Sequence, residues 1–149
     1  GFPYVDVLKL PQIIFQGSDL VVKTKLSHIK EELDKKTPAA LIIEIPSNPL
    51  LQCVDLISIS KLAQDKNIPI IVDDTIGSPL NVHLTPYADV VFSSLTKSFA
   101  GRGDILAGST VISPYSKWKK ELSEIIPKVA LSTLSESDSI ELEKTSRDI

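Results

Sequence analysis

The chain has 149 residues, 42% of them hydrophobic and 23% charged, which is the length and composition of one globular domain with a real core rather than a disordered segment. A formal net charge of −3 with no basic run gives no electrostatic support for a nucleic-acid or anionic-membrane partner. No apolar run approaches the length of a membrane span and the first residues lack the basic start of a signal peptide, so the expected setting is cytoplasmic.

The chain opens in the middle of an apolar phrase, "GFPYVDVLKL", and contains no Met, which reads as a piece of a longer protein. Residues 2–8, "FPYVDVL", alternate loosely and suggest an edge strand ended by Pro11, and "QGSDL" at 16–20 is turn chemistry. Between 24 and 36, Leu26, Ile29 and Leu33 recur at helical spacing with charges opposite, the pattern of a surface helix lying on a sheet. "AALIIEIPSNP" then gives a short continuous apolar run, expected as a central parallel strand stopped by prolines. Cys53 follows. As the sole cysteine it allows no intrachain disulfide, fits a reducing compartment, and is expected as a small buried apolar residue rather than a nucleophile or metal ligand; no metal site is expected.

In "DLISISKLAQDKN", Asp55 is a plausible N-cap, Leu56, Ile59, Leu62 and Ala63 share one face, and Asn67 stops the helix. "IPIIVDDT" follows as a second buried strand, completing a βαβ unit with an expected right-handed crossover. "ADVVFSS" at 88–94 and "AGSTVIS" at 107–113 supply two more strands. Ser113 and Pro114 would then start a helix, "PYSKWKKELSEII", with Trp118, Leu122 and Ile125 facing inward, and the tail from residue 131 is polar and helix-prone. The expected fold class is α/β, a three-layer α/β/α arrangement with a mostly parallel sheet.

In an open parallel sheet ligands bind beyond the carboxyl ends of the strands. Three polar groups fall there: "EIPSNP", "VDDT" and "SSLTK". A carboxylate closing an apolar strand is desolvated, so Asp73 calls for a cationic or proton-bearing partner, although Asp73 or Asp74 can equally cap a turn. Ser94, Thr96 and nearby amides can hold a phosphate, placing Lys97 within reach of whatever carries it. A lysine partly withdrawn from water can act as a Schiff-base nucleophile, whereas a lysine taken alone is an ordinary surface charge. Gly101, Gly103 and Gly108 allow a tight loop after the lysine, but neither a dinucleotide nor a P-loop fingerprint is present. Hydroxyls for a phosphate, a lysine for an aldehyde and an aspartate for a protonated ring nitrogen together describe a pyridoxal 5'-phosphate site.

"IEIPSNPLLQCVDL", "IVDDTIGSP" and "SSLTKSFAGRGDILAG" together resemble the Cys/Met-metabolism (trans-sulfuration) family of pyridoxal phosphate enzymes over residues 38–113. The resemblance implies part of the large domain of a fold-type I, aspartate aminotransferase-like transferase. It implies Lys97 as the lysine that binds the cofactor covalently and later carries protons, Ser94 and Thr96 on the phosphate, and Asp73 on the ring nitrogen. Asn48 would lie near the ring oxygen, with Glu44 and Thr75 in support. It further implies amino-acid substrates, a role in methionine biosynthesis and cysteine metabolism, and a homo-oligomer, typically a tetramer. Asp74 stands where the family has Asn, Ile76 where it often has Phe, and Gly101-Arg102-Gly103-Asp104 where Gly-His-Ser-Asp is frequent. With "ELEKTSRD" at 141–148 these departures resemble the fungal branch of cystathionine γ-synthase-like proteins.

On this reading residues 1–127 are a partial cofactor-binding domain and 128–149 a helical segment leading toward a small C-terminal domain that bears the substrate-carboxylate arginine. The expected activity is γ-replacement on an O-acylhomoserine with cysteine, with cystathionine lyase or O-acetylhomoserine sulfhydrylase as alternatives; the 149 residues alone are expected to be inactive. Two readings of other kinds remain open at this point: a receiver-type phosphoacceptor module and a catalytically silent paralogue. In receiver modules the threonine and lysine come from successive strands, whereas Thr96 and Lys97 are neighbours here.

Overall fold

In a computed structural model that describes residues 3–13, 19–130 and 134–147, the apolar runs become four strands and the helical periodicities become helices packed on them. The order is α1 (Val5–Ile13), α2 (Leu26–Lys35), β1 (Leu41–Glu44), α3 (Leu56–Asp65), β2 (Ile70–Asp73), β3 (Val90–Ser94), β4 (Gly108–Ile112), α4 (Lys119–Val129) and α5 (Glu136–Ser146). The sheet runs β1-β2-β3-β4, with the first three strands parallel and β4 antiparallel beside β3. It is the expected α/β architecture, a mostly parallel sheet carrying one antiparallel strand.

Register decides which residues face which way. Leu41 pairs with Ile70, Ile43 with Val72, and Val72 with Val91. These side chains join Leu33, Leu56, Ile59 and Ala63 in the main core, so α2 and α3 cover that face. With a period of two, Glu44, Asp73, Phe92 and Ser94 belong to the opposite face. Ile59 and Val72 are almost wholly enclosed and sit at the centre of the packed layer.

Local chemistry accounts for the helix ends. Asp55 Oδ1 accepts the Ser58 amide at 3.0 Å, the N-cap expected for α3, and Asn67 takes a left-handed conformation (φ 61°) just beyond its end. Ser135 caps α5 through the Asp138 amide at 3.0 Å.

Four expectations are corrected. The segment expected as an edge strand at 2–8 is helical from Val5: Asp6 lies in the first turn and pairs with Lys9 three residues on, a local pattern that an alternation count overlooks. Cys53 is exposed, not buried, because the chain from Asn48 to Cys53 runs over the surface. The helix expected from Pro114 begins only at Lys119. The Ser113 hydroxyl donates to Thr85 O at 2.6 Å and that of Ser116 to Asp89 Oδ1 at 2.6 Å, which holds 113–118 in turns. Ile125 is exposed, while Trp118 and Leu122 are half-buried. Residues 16–18 of the expected turn lie outside the described residues.

Candidate active site at the carboxyl ends of the central strands

β1, β2 and β3 end side by side, so their final residues and the loops after them converge. Glu44 is the register partner of Asp73, and Asp73 of Phe92, with Ser94 two residues further along β3 on the same face. The ladder continues past the strand ends: Ile45 N donates to Asp73 O at 3.0 Å and Asp74 N to Phe92 O at 3.1 Å. Thr75 links the ends of β2 and β3, its Oγ1 accepting the Ser94 amide at 2.9 Å. Asp73 Oδ1 accepts the Thr75 amide at 3.0 Å. Asp73 therefore closes a turn, the bland role foreseen for it, and it does so with one oxygen only.

The desolvation foreseen for Asp73 falls mainly on its neighbour. Asp74 is 1% exposed, and its Oδ1 accepts the Ser93 hydroxyl on the covered side of the sheet. Burial, then the charge of Asp73, pushes its carboxyl up to about 6. Glu44 is also raised, first by burial and further by the Asp73 charge, with the Asn48 amide opposing the shift. Its Oε2 accepts the Tyr4 amide at 3.0 Å, which fastens the start of α1 to the end of β1. Asn48 lies on the exposed loop that follows β1, where the bonds to Pro46 and Pro49 are both cis.

Lys97 is exposed on a turn directly after β3. Its amide donates to Ser94 O at 3.4 Å and its carbonyl accepts the Gly101 amide at 2.8 Å. No carboxylate among the described residues pairs with its ammonium. Thr96 Oγ1 accepts the Ala107 amide at 3.1 Å and reaches Ala107 O at 3.3 Å, so this hydroxyl ties the turn to the chain entering β4. Gly101 (φ 71°) and Gly103 (φ 77°) take left-handed conformations, with nothing within 4 Å of where a Cβ would stand. Conformation rather than crowding calls for glycine there.

The structure thus brings Asp73, Thr75 and Ser94 onto two adjacent strand ends, with Thr96 and Lys97 on the turn beyond and Asn48 on the neighbouring loop. One role that sequence reading missed is the Thr75 bridge. Its signal was available: a hydroxyl two residues beyond a strand end can take an orphan amide of the next strand. Asp89 was also missed. At the opposite end of the sheet its Oδ2 accepts the Ile70 amide at 2.8 Å while Oδ1 takes the Ser116 hydroxyl.

The donor set suits pyridoxal phosphate. The second oxygen of Asp73, the Ser94 hydroxyl and the Lys97 amine have no protein partner among the described residues, and they supply an anion for a protonated ring nitrogen, a donor for phosphate and a nucleophile for an aldehyde. Among the described residues no helix is long and apolar enough to cross a membrane.

Comparison with known proteins agrees with this donor set. The model of the Cys/Met metabolism PLP-dependent enzyme family matches residues 11–144. Cystathionine gamma-synthase of Neurospora crassa is 36% identical over 99% of this chain and 25% of its own length. Cystathionine gamma-synthase of Saccharomyces cerevisiae is 38% identical over 78% of this chain and 19% of its own. The chain therefore spans about a quarter or less of these relatives. Among solved structures, cystathione gamma lyase (CalE6) from Micromonospora echinospora superposes with a TM-score of 0.79 at 26% identity, over 97% of this chain and 39% of that one. With the motif order, the strand-end geometry and the family match in agreement, the receiver reading falls away, and the chain belongs to the Cys/Met metabolism PLP-dependent enzymes.

Proposed function

We propose that this chain is the lysine-bearing part of a trans-sulfuration enzyme whose whole protein carries out γ-replacement, joining cysteine sulfur to the γ-carbon of an O-acylhomoserine. The observation that carries the reading is the grouping of Asp73, Ser94 and Lys97 at adjacent strand ends, in a chain whose relatives include two cystathionine gamma-synthases. Pyridoxal phosphate, when bound, supplies an electron sink for carbanions formed on the amino-acid substrate.

The chain's own residues do the rest. Asp73 would keep the ring nitrogen protonated through its second oxygen, and Ser94 Oγ would donate to the phosphate, with Thr96 holding the turn. Lys97 Nζ would hold the cofactor through its aldehyde and, once free, would move protons at the α and β carbons of the substrate. The acyl group leaves as a carboxylate and the cysteine thiol, losing its proton, forms the new carbon–sulfur bond. Asn48 and Thr75 would orient the ring from the neighbouring loop and strand end. The division at residue 127 and assembly of the whole protein as a homo-oligomer belong to the same reading.

A lyase reading is favoured by one observation, the likeness to a γ-lyase structure. The two are separated by product: the whole protein, given an O-acylhomoserine and cysteine, is expected to form cystathionine, whereas a lyase with water cleaves supplied cystathionine to a thiol, a keto acid and ammonia. Borohydride treatment of the cofactor-loaded whole protein is expected to fix pyridoxyl onto Lys97, read by peptide mass spectrometry. A folded, cofactor-supplemented protein with no visible cofactor band and no modified Lys97 overturns the assignment.

A further inference from the structure

Two residues to either side of the exposed Lys97, Leu95 and Phe99 are half-buried. Leu95 and Phe99 pack with Ala107 and Leu134 against a small second core made of Ala100, Ile105 and Leu142. Leu142 belongs to α5, and it is 8% exposed, against 2% for Ala100 and 3% for Ile105. The turn that presents Lys97 thus rests on a helix some forty residues downstream, with no strand of the sheet between them in this cluster.

A polar contact lies beside the apolar one. Arg102 Nη1 meets Glu141 Oε1 at 2.6 Å, and Lys144 braces the other oxygen of Glu141 at 3.4 Å. Arg102 stands between the two left-handed glycines, Gly101 and Gly103, so the backbone on both sides of it adopts a conformation that glycine takes without strain. The "GRGD" segment, which parts from the family pattern, is therefore in contact with α5 through Glu141. An ion pair this exposed adds little to global stability, but together with a buried leucine it can fix where a loop sits.

We propose that Arg102, Glu141 and Leu142 form a latch by which α5 sets the position of the Lys97 turn, so that whatever moves α5 moves the catalytic lysine. The three are positioning residues, acting through the turn rather than on substrate. The proposal rests on the assignment of Lys97 above, and its test reads the latch apart from that assignment.

Amide hydrogen exchange is compared for the whole protein and its Arg102→Ala and Glu141→Gln variants, without added cofactor, together with the exchanged pair Arg102→Glu/Glu141→Arg. Exchange in residues 95–105 is expected to rise about twofold to fivefold in each single variant and to return toward the parent in the exchanged pair. The melting temperature stays within about a degree. With pyridoxal phosphate bound, its release on dilution, followed by absorbance, quickens in the single variants and is restored in the exchanged pair. Unchanged exchange at 95–105, a rise spread over the whole protein, or no restoration on exchange overturns the latch. A wild-type protein that takes up no cofactor overturns the assignment of Lys97 instead, and the exchange comparison still decides the latch.

Discussion

Asp74 concentrates the pH dependence of this fold in one buried group. It follows β2 directly, is 1% exposed, and has the Ser93 hydroxyl on Oδ1. No cation among the described residues pairs with it: Asp73 is adjacent and negative, and His83, which lines the same cavity of about 160 Å³, is hydrogen-bonded to Thr85 Oγ1 at 2.9 Å. Its carboxyl moves from the ordinary 3.8 to about 6, through burial first and the Asp73 charge second. Between those values the folded chain keeps a proton that the unfolded chain has released. The contribution to stability is therefore complete below pH 3.8, declines as the pH rises toward about 6, and is lost above it. The full displacement corresponds to about 3 kcal/mol. Relief by nearby solvent reduces this to roughly 1–2 kcal/mol.

Asp74→Asn keeps the shape and the acceptor for Ser93 but cannot ionise. Urea unfolding followed by circular dichroism at pH 4 and pH 8 is the assay. The variant is expected to gain about 1–2 kcal/mol on the parent at pH 8 relative to their difference at pH 4. A difference that is equal at both pH values, or that favours the variant more in acid, refutes the reasoning.

Thr75→Val removes the acceptor of the Ser94 amide while keeping the volume, and is expected to cost about 1–3 kcal/mol in urea unfolding. Because that bond ties the end of β2 to β3, a cofactor titration of the same variant should show weakened binding. Ile59→Ala empties a nearly inaccessible site between α3 and the sheet, and should lower stability by about 2–5 kcal/mol in the same assay. A loss below about 1 kcal/mol there would contradict the placement of Ile59 at the centre of the core.

Most of the sheet was legible because its signals are local. "LIIE", "IIVD" and "VVFSS" are too short and too continuously apolar for amphipathic helices, and the amphipathic α3 between the first pair supplies the crossover and, with α2, covers one face. What failed was also local, where two signals compete over a few residues. Val5 to Leu8 satisfies a loose alternation and a helical turn equally, and the Asp6–Lys9 pair with the anchoring of Tyr4 on Glu44 decides for helix. Ser113-Pro114 has the composition of a helix start, but its hydroxyl is claimed by Thr85, twenty-eight residues away. Burial of Cys53 was inferred from what cysteine usually does, and nothing in the neighbouring residues fixed the path of the loop that carries it.

The site was legible to a different depth. Motif order brought Asp73, Ser94, Thr96 and Lys97 to the ends of neighbouring strands, since strand-end residues in a parallel sheet must converge. Which of two consecutive aspartates is buried could not be read that way, because the answer depends on the face of the sheet that α2 and α3 cover. The register places Asp73 on the opposite face with Glu44, Phe92 and Ser94, and leaves Asp74 against Ser93. This division has a chemical consequence. A carboxylate that is to meet a protonated ring nitrogen needs one oxygen held in place and one left open, and Asp73 has the Thr75 amide on Oδ1 and no protein partner on its other oxygen among the described residues. Asp74, enclosed against Ser93, instead has its carboxyl pushed up to about 6. Asp73→Asn is therefore expected to weaken cofactor retention, read by absorbance after dilution, whereas Asp74→Asn is expected to change the pH dependence of unfolding and leave retention near the parent's; equal loss of retention in both variants contradicts the separate roles that the register assigns them.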